Sequence, residues 1–376
     1  MVKVLAICAG SPDNVYGGME THARNLYANM DADITYLTLR DDYVQEGKPY
    51  KIVHPQVGYH YPPDNENKMA NILANNRLMF MEAMKYKVDI VHAHDWIAVI
   101  TAMDLKEKFG IPFVTTFHLF QHQIDEVEEF NRTDEGMYMK IMELNGVAKS
   151  DEVIVCSKYM QEYIKRKLKT EREAKLIYNA IPLDEFDCEP IDFKCDKPVV
   201  LFCGRLSGQK GIKELLETIP KTNEFMFVIM GRIPSVTENT THPFVVAINH
   251  LQKKYPDRLK WLKHIEGKER FRWFKRADIG LVPSLCEPFG IVAREFQASQ
   301  TPLVTTAVDG LAEFVNEDNA FIIPDAKPES IIAGLKRADR SKVDKGYIET
   351  TKNTWSKIAQ ETVKVYEEVL YEVHKN

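Results

Sequence analysis

The stretch LVPSLCEPFGIVAREFQASQTPLVTTAVDG, Leu281 to Gly310, constrains the fold more than any other part of the chain. An apolar run, Ile279–Val282, stops at Pro283 and reads as a buried parallel strand. A short loop carries Glu287, and Pro288, Phe289 and Gly290 then open a helix whose second turn carries Glu295. A second strand, Leu303–Thr306, ends in a loop with Asp309 and Gly310. Strand, helix, strand is one βαβ unit, and open parallel sheets bind ligands beyond the carboxyl ends of such strands. The free N–H groups at Phe289 and Gly290 make an anion or hydroxyl site. Glu287 stands at the loop tip, and Glu295 lies roughly 7.5 Å of helix rise further in. Carboxylates are natural bidentate acceptors for vicinal hydroxyls of sugars.

The rest of the chain repeats this alternation. Strands are expected at Val2–Cys8, Ile34–Leu39, Ile90–His92, Phe113–Phe117, 152–156 and Lys175–Tyr178, with helices at Met19–Met30, Met69–Lys85 and Lys158–Lys169. Residues 41–66 are polar and irregular, with YHYPPDNENK as a flexible loop suited to acceptor contacts. The segment 185–197, rich in Asp, Glu and Pro, reads as a linker. Strand formation restarts at Pro198 with VVLFCG, continues through Phe225–Gly231, Leu259–Leu262 and a strand region within Glu317–Pro324, and closes with helices at Pro328–Ala338 and Thr351–Lys375. Two α/β halves of similar size follow.

In 376 residues, 44% hydrophobic and 28% charged, there is room for two ordinary domains. A net charge of −6 argues against the whole chain being a nucleic-acid or membrane-surface binder. No apolar run approaches a membrane span of roughly 20 residues, and VKVLAICAG reads as a first strand rather than a signal peptide. Six cysteines without a Cys-x-x-Cys pair fit reduced thiols and a cytoplasmic location, so the sequons at Asn131 and Asn239 carry little meaning.

Four further segments carry candidate chemistry. Gly17 and Gly18 precede a helix, where glycines allow close backbone approach to a ligand or simply make a turn. In the same segment Glu20 and His22 either line a ligand cleft or, for His22, face solvent. HAHDW places His92 and His94 two apart at a strand end; without a third ligand nearby in sequence, a metal site is not expected. His118 ends the Phe113–Phe117 strand, where chemistry gathers in parallel sheets. GRLSGQKG puts Arg205 and Lys210, held by Gly204, Gly208 and Gly211, between a first strand and a helix. Such cations can neutralise a diphosphate. KERFRWFKR reads as a helix that packs Phe271 and Phe274 and leaves its cations in water.

Taken in order, GGMETH, HAHDW, TFH, NAIPLDEF, GRLSGQKG and the Glu287–Glu295 unit resemble the retaining glycosyltransferases of family 4, glycogen-synthase-like members of group 1. The resemblance covers nearly the whole chain. It implies a GT-B fold: two Rossmann-like doubly wound domains facing a central cleft, with an N-terminal domain at 1–184, a nucleotide-sugar domain at 198–350, and a C-terminal helix, 351–376, returning to the first domain. It implies a retaining, metal-independent hexosyltransferase that uses a UDP-, ADP- or GDP-linked sugar and no further cofactor. Its donor site would comprise Gly17, Gly18, Arg205, Lys210, Glu287, Phe289, Gly290, Ile291 and Glu295. By resemblance Glu287 binds sugar hydroxyls, Glu295 the ribose diol, His118 holds the sugar, and Arg205 and Lys210 stabilise the diphosphate leaving group. The acceptor, whether glucan, small metabolite, lipid or nucleobase, is open, as is the oligomeric state. A phosphorylase, a sugar-nucleotide epimerase or hydrolase, and an inactive sugar-nucleotide-binding scaffold are the alternatives. Four residues depart from the family pattern. Ala180 replaces a usual Gly in NAIPLDEF, and Ser299-Gln300 replaces a small-Gly pair. Asp309 stands where many members have Gly, and an acid there repels a diphosphate unless it is turned away.

Overall fold

A computed structural model describes residues 1–13, 17–41, 43–55, 68–128, 134–233 and 241–375. Most of the expected YHYPPDNENK loop and both sequons lie outside the described residues. The chain divides into two compact units, Met1–Asn179 with Trp355–Asn376, and Ala180–Thr354.

In the first unit the elements run β1 (Lys3–Ile7), α1 (Gly18–Ala28), β2 (Asp33–Leu37), β3 (Lys51–Val53), α2 (Lys68–Ala83), β4 (Ile90–His94), α3 (Asp95–Phe109), β5 (Phe113–Phe117), α4 (Gln121–Asp125), α5 (Asp134–Lys149), β6 (Glu152–Val155), α6 (Lys158–Arg166) and β7 (Lys175–Leu176). All seven strands pair in parallel, in the order β3-β2-β1-β4-β5-β6-β7. The sequence order reverses between β1 and β4, whose register pairs Val4 with Ile90 and Ile7 with Ala93. Strand β3 falls inside the stretch expected to be irregular. At three residues it is too short for a periodic signal, and it forms because Lys51–Val53 pairs with Thr35–Leu37.

The second unit contains β8 (Val199–Cys203), α7 (Ile212–Thr218), β9 (Met226–Met230), α8 (Pro243–Lys254), β10 (Leu259–Trp261), α9 (Gly267–Arg276), β11 (Ile279–Val282), α10 (Ile291–Ala298), β12 (Leu303–Thr306), β13 (Phe321–Ile323), α11 (Pro328–Arg337) and α12 (Val343–Thr350). Its six parallel strands run β10-β9-β8-β11-β12-β13. Alternation along each strand sorts its side chains into two cores. Val200, Phe202, Phe227 and Ile229 face one side with Ile212, Leu215 and Leu335. Val199, Leu201, Met226 and Val228 face the other with Phe271, Phe274 and Phe296. The expected linker 185–197 packs within this unit instead. Ile191, Phe193 and Cys195 lie against the second of these cores, the Ile191 N–H donates to the Arg272 carbonyl, and Phe193 meets the Trp273 ring at 5.3 Å. Its apolar residues, spaced between acids, hold it to α9.

The last helix, α13 (Trp355–Lys375), belongs to the first unit. Trp355, Ile358, Ala359, Thr362, Val365, Tyr366 and Val369 form its buried stripe at helical spacing. The Tyr366 hydroxyl reaches His92 Nδ1 at 2.6 Å. No described helix is long and apolar enough to cross a membrane.

Candidate active site

The order of the second sheet reverses between β8 and β11, and that crevice holds most of the candidate residues. After β8 the chain turns through Gly204 and Arg205 into a short 3-10 turn, Gly208–Lys210, and then Gly211. Gly211 has φ 71°, and a Cβ there would stand 2.1 Å from the Pro283 carbonyl oxygen. Only glycine lets the Lys210 loop lie against the end of β11. The Gln209 carbonyl accepts from the Leu285 and Cys286 N–H groups at 2.8 and 3.3 Å, tying the two loops together.

Lys210 and Glu287 therefore meet. Lys210 Nζ donates to Glu287 Oε2 at 2.6 Å, and Ser284 Oγ donates to the same oxygen at 3.2 Å. Glu287 Oε1 has no protein partner among the described residues and stays open as an acceptor, while the Lys210 ammonium keeps further donors. The Arg205 guanidinium has no side-chain partner among the described residues, which leaves an uncompensated cation beside the loop. Asp309 forms no ion pair with either cation among the described residues. With φ 51° it directs Oδ2 onto the Glu287 backbone N–H at 2.9 Å, so its carboxylate fixes the loop that presents Glu287. Burial pushes the neighbouring Cys286 thiol up, and Asp309 adds to that shift.

Gly290, at φ 91°, precedes α10; a Cβ there would meet Leu311 Cδ1 at 2.5 Å. The turn it makes starts α10 at Ile291, so Phe289, Gly290 and Ile291 supply backbone N–H groups at a helix N-terminus. Phe289 is buried against Phe314, 4.7 Å between centroids. Glu295 lies one turn further in, 1% exposed. It does not join Lys210. Arg270 of α9 donates from Nη1 to Oε1 at 2.8 Å and from Nη2 to Oε2 at 2.5 Å, a bidentate fork. Burial opposes the Arg270 charge, the Glu295 carboxylate overcomes it, and the guanidinium pKa is raised. Arg270 is thus not one of a row of solvated cations, as its segment suggests; it orients the deepest carboxylate of the site. The pairing spans 25 residues, and neither hydropathy nor spacing signals it.

In the first unit Gly17 caps α1 with an extended backbone, and its carbonyl accepts from the Thr21 N–H and hydroxyl. Glu20 and His22 are buried, so His22 does not face solvent. His22 Nδ1 lies 2.6 Å from Asn179 Oδ1, at the end of the unit. His94 Nδ1 lies 3.1 Å from His118 Nε2, and the Tyr27 hydroxyl holds His94 Nε2 at 2.6 Å. The His118 N–H donates to Asp95 Oδ1 at 2.7 Å. One nitrogen each from His22, His94 and His118 lie within 4.8 Å of one another. Two neighbouring His in HAHDW could not reveal this cluster, because its other members come from α1 and the end of β5. Burial holds His22 down to about 4 and holds His94 and His118 well below the ordinary range, so all three rings are neutral at pH 7.

Two parallel-sheet α/β units, with cations and carboxylates gathered at the switch point of the second, define a GT-B glycosyltransferase fold. Comparison agrees. The description "Glycosyltransferase Family 4" matches residues 16–185, and "Glycosyl transferases group 1" matches residues 197–338. The chain belongs to this glycosyltransferase family. An uncharacterised glycosyltransferase of Methanocaldococcus jannaschii is 27% identical over 97% of this chain and 98% of its own length. Sucrose-phosphate synthase from Thermosynechococcus elongatus superposes with a TM-score of 0.86 at 21% identity, covering 99% of this chain and 100% of that one. Anabaena HepE in complex with UDP-glucose gives 0.75 at 15% identity, over 98% and 100%.

Proposed function

We propose that this protein is a retaining, metal-independent hexosyltransferase that moves a sugar from a nucleoside-diphosphate donor to an acceptor hydroxyl. The observation that carries this reading is the Lys210–Glu287 pair at the β8–β11 switch point, with Arg205 in the same loop as Lys210. Breaking the anomeric bond places charge on the diphosphate. Arg205 and the unused Lys210 donors meet that charge without reorganisation, assisted by the N–H groups of Phe289, Gly290 and Ile291. Glu287 Oε1 is available to a sugar hydroxyl. Glu295 has two engaged oxygens, yet each retains a second lone pair, so Arg270 can hold the carboxylate still while it accepts from a ribose diol. His118, at the end of β5, takes part in holding the sugar, and Gly17 and Gly18 leave backbone room for the donor. The transition state is oxocarbenium-like. The donor is a UDP-, ADP- or GDP-linked sugar: among solved neighbours HepE is described with UDP-glucose and starch synthase IV from Arabidopsis thaliana with ADP.

The test is transfer from UDP-, ADP- and GDP-hexoses to a panel of glucan, polyol, lipid and nucleobase acceptors, with the product's anomeric configuration read by proton NMR. A product with the donor's anomeric configuration supports the reading. Inversion refutes it, and net transfer to phosphate, to water, or to an epimeric sugar moves the protein to the phosphorylase, hydrolase or epimerase class.

A further inference from the structure

We propose that the first unit carries a transition-metal site formed by His22, His94 and His118, suited to Zn²⁺ or its near neighbours, with a fourth position open to water. Three imidazoles and one exchangeable ligand form a set that Zn²⁺ accepts, and neutral imidazole also suits Cu²⁺, Ni²⁺ and Co²⁺.

The hydrogen bonds around the cluster set His22 in the tautomer that a metal needs and accommodate that tautomer in His94, while His118 has one proton to move. Asn179 Oδ1 can only accept, so His22 Nδ1 carries the proton and Nε2 holds a bare lone pair. That His22 Nε2 is buried and has no hydrogen-bond partner, an orphan acceptor in a ring 3% exposed. His94 Nε2 pairs with the Tyr27 hydroxyl at 2.6 Å; with the ring as donor there, the Nδ1 lone pair faces His118 Nε2 at 3.1 Å. Asn179 and Tyr27 are thus the outer partners that fix ring orientation in histidine metal sites. The His94–His118 nitrogen separation of 3.1 Å is close to the roughly 3.3 Å between ligands of a tetrahedral ion with bonds of about 2.0–2.1 Å. The full cluster spans up to 4.8 Å, so the ion draws His22 inward toward the pair. The His118 proton on Nε2 moves to Nδ1 through solvent, and the ring stays neutral. His118 is the most exposed of the three, so the open position lies on its side.

The site ties α1 to the ends of β4 and β5. A second consequence rests on the proposed function: a bound ion takes His118 away from the sugar, so the metal acts as an inhibitor of transfer. Binding itself does not depend on that reading.

The test uses the full chain, stripped with chelator and without donor. Co²⁺ is titrated as a spectroscopic probe and Zn²⁺ by calorimetry. One ion per chain is expected, with the visible ligand-field bands of a four- or five-coordinate nitrogen site. His22→Gln and His94→Gln should each weaken binding by more than about 100-fold. Asn179→Ala should weaken it about 10–100-fold, as loss of an outer partner does. His122→Asn, outside the cluster, should bind like the wild type. Circular dichroism checks that each variant is folded, and the two ligand variants are independent, so failure of one to fold leaves the other decisive. No saturable uptake, unchanged affinity in the folded ligand variants, or thiolate charge-transfer bands from cysteine ligation would each overturn the proposal. Zn²⁺ binding without inhibition would retain the site and refute only the consequence for His118.

Discussion

Replacing Arg270 by Met should destabilise the second unit by about 3–5 kcal/mol, the cost of leaving a buried carboxylate without its partner. The structure gives the reason for that size. Glu295 is 1% exposed and both its oxygens accept from Arg270, at 2.8 and 2.5 Å. Unit charges about 4 Å apart at an effective dielectric near 20 interact by about 4 kcal/mol, in agreement. In a unit spanning Ala180–Thr354, each 1 kcal/mol corresponds to about 2–4 °C, so the associated transition should fall by roughly 6–20 °C. Calorimetry on the full chain would follow it. Glu295→Leu alone should cost less, because Arg270 retains some access to water at 22% side-chain exposure. The double variant Arg270→Met/Glu295→Leu should recover to within about 1–2 kcal/mol of wild type, since a buried pair is often replaceable by apolar side chains. An Arg270→Met protein within about 1 kcal/mol of wild type, or a double variant no better than the sum of the singles, would refute the role given to this pair.

Gly211→Ala should cost about 2–5 kcal/mol and shift Lys210, because its Cβ meets the Pro283 carbonyl oxygen at 2.1 Å in a left-handed turn; chemical denaturation would measure it, and a neutral result would refute the close approach of the two loops. Arg294, 1% exposed, has no partner for Nε or Nη1, and burial lowers its pKa to about 10. Arg294→Met should therefore be neutral or more stable by up to about 2 kcal/mol in denaturant titration, despite losing the bond to the Glu349 carbonyl at 3.0 Å; a larger loss would mean that the charge is compensated. Burial, assisted by His22, lowers the His92 pKa from 6.5 to about 3. The folded protein then binds fewer protons than the unfolded chain between those values, so this stability is complete above pH 6.5 and lost as pH falls toward 3, on the order of 3–5 kcal/mol. In metal-free protein His92→Gln should flatten that acid limb, and an unchanged limb would refute its origin in His92.

The parts of the fold legible in the sequence were those with long local signals. The run from Ile279 to Thr306 shows its strand, loop, helix and strand because an apolar run, a proline stop and a Pro-Phe-Gly helix start lie next to one another, and the structure places β11, α10 and β12 there. The closing helix is equally plain, with apolar residues at Trp355, Ile358, Val363, Tyr366 and Val369, of which Val363 alone is only half-buried. Short β3 and the packed segment 185–197 lack such signals. Within the site, the glycines and the cations around Lys210 announce a loop that can meet phosphate, yet nothing local pairs Lys210 with Glu287 across 77 residues. Arg270, Asn179 and the His22–His94–His118 cluster were hidden for the same reason: each draws partners from helices or strand ends far apart in sequence, and only the tertiary fold brings those elements together. Asp309 shows the converse. An acid near a phosphate site reads as a conflict, and its backbone bond to Glu287 gives it a structural task instead.

Calorimetric binding of UDP-, ADP- and GDP-hexoses to the full chain, with slow sugar release followed in parallel, tests the donor site directly. One donor should bind and be slowly hydrolysed, and Lys210→Ala should weaken binding by roughly 10–150-fold, the worth of a charge-assisted hydrogen bond of about 1.5–3 kcal/mol. Glu295→Ala, if folded by circular dichroism, should also lose binding. No affinity for any donor, or a donor bound equally well by Lys210→Ala, would contradict the proposed donor site.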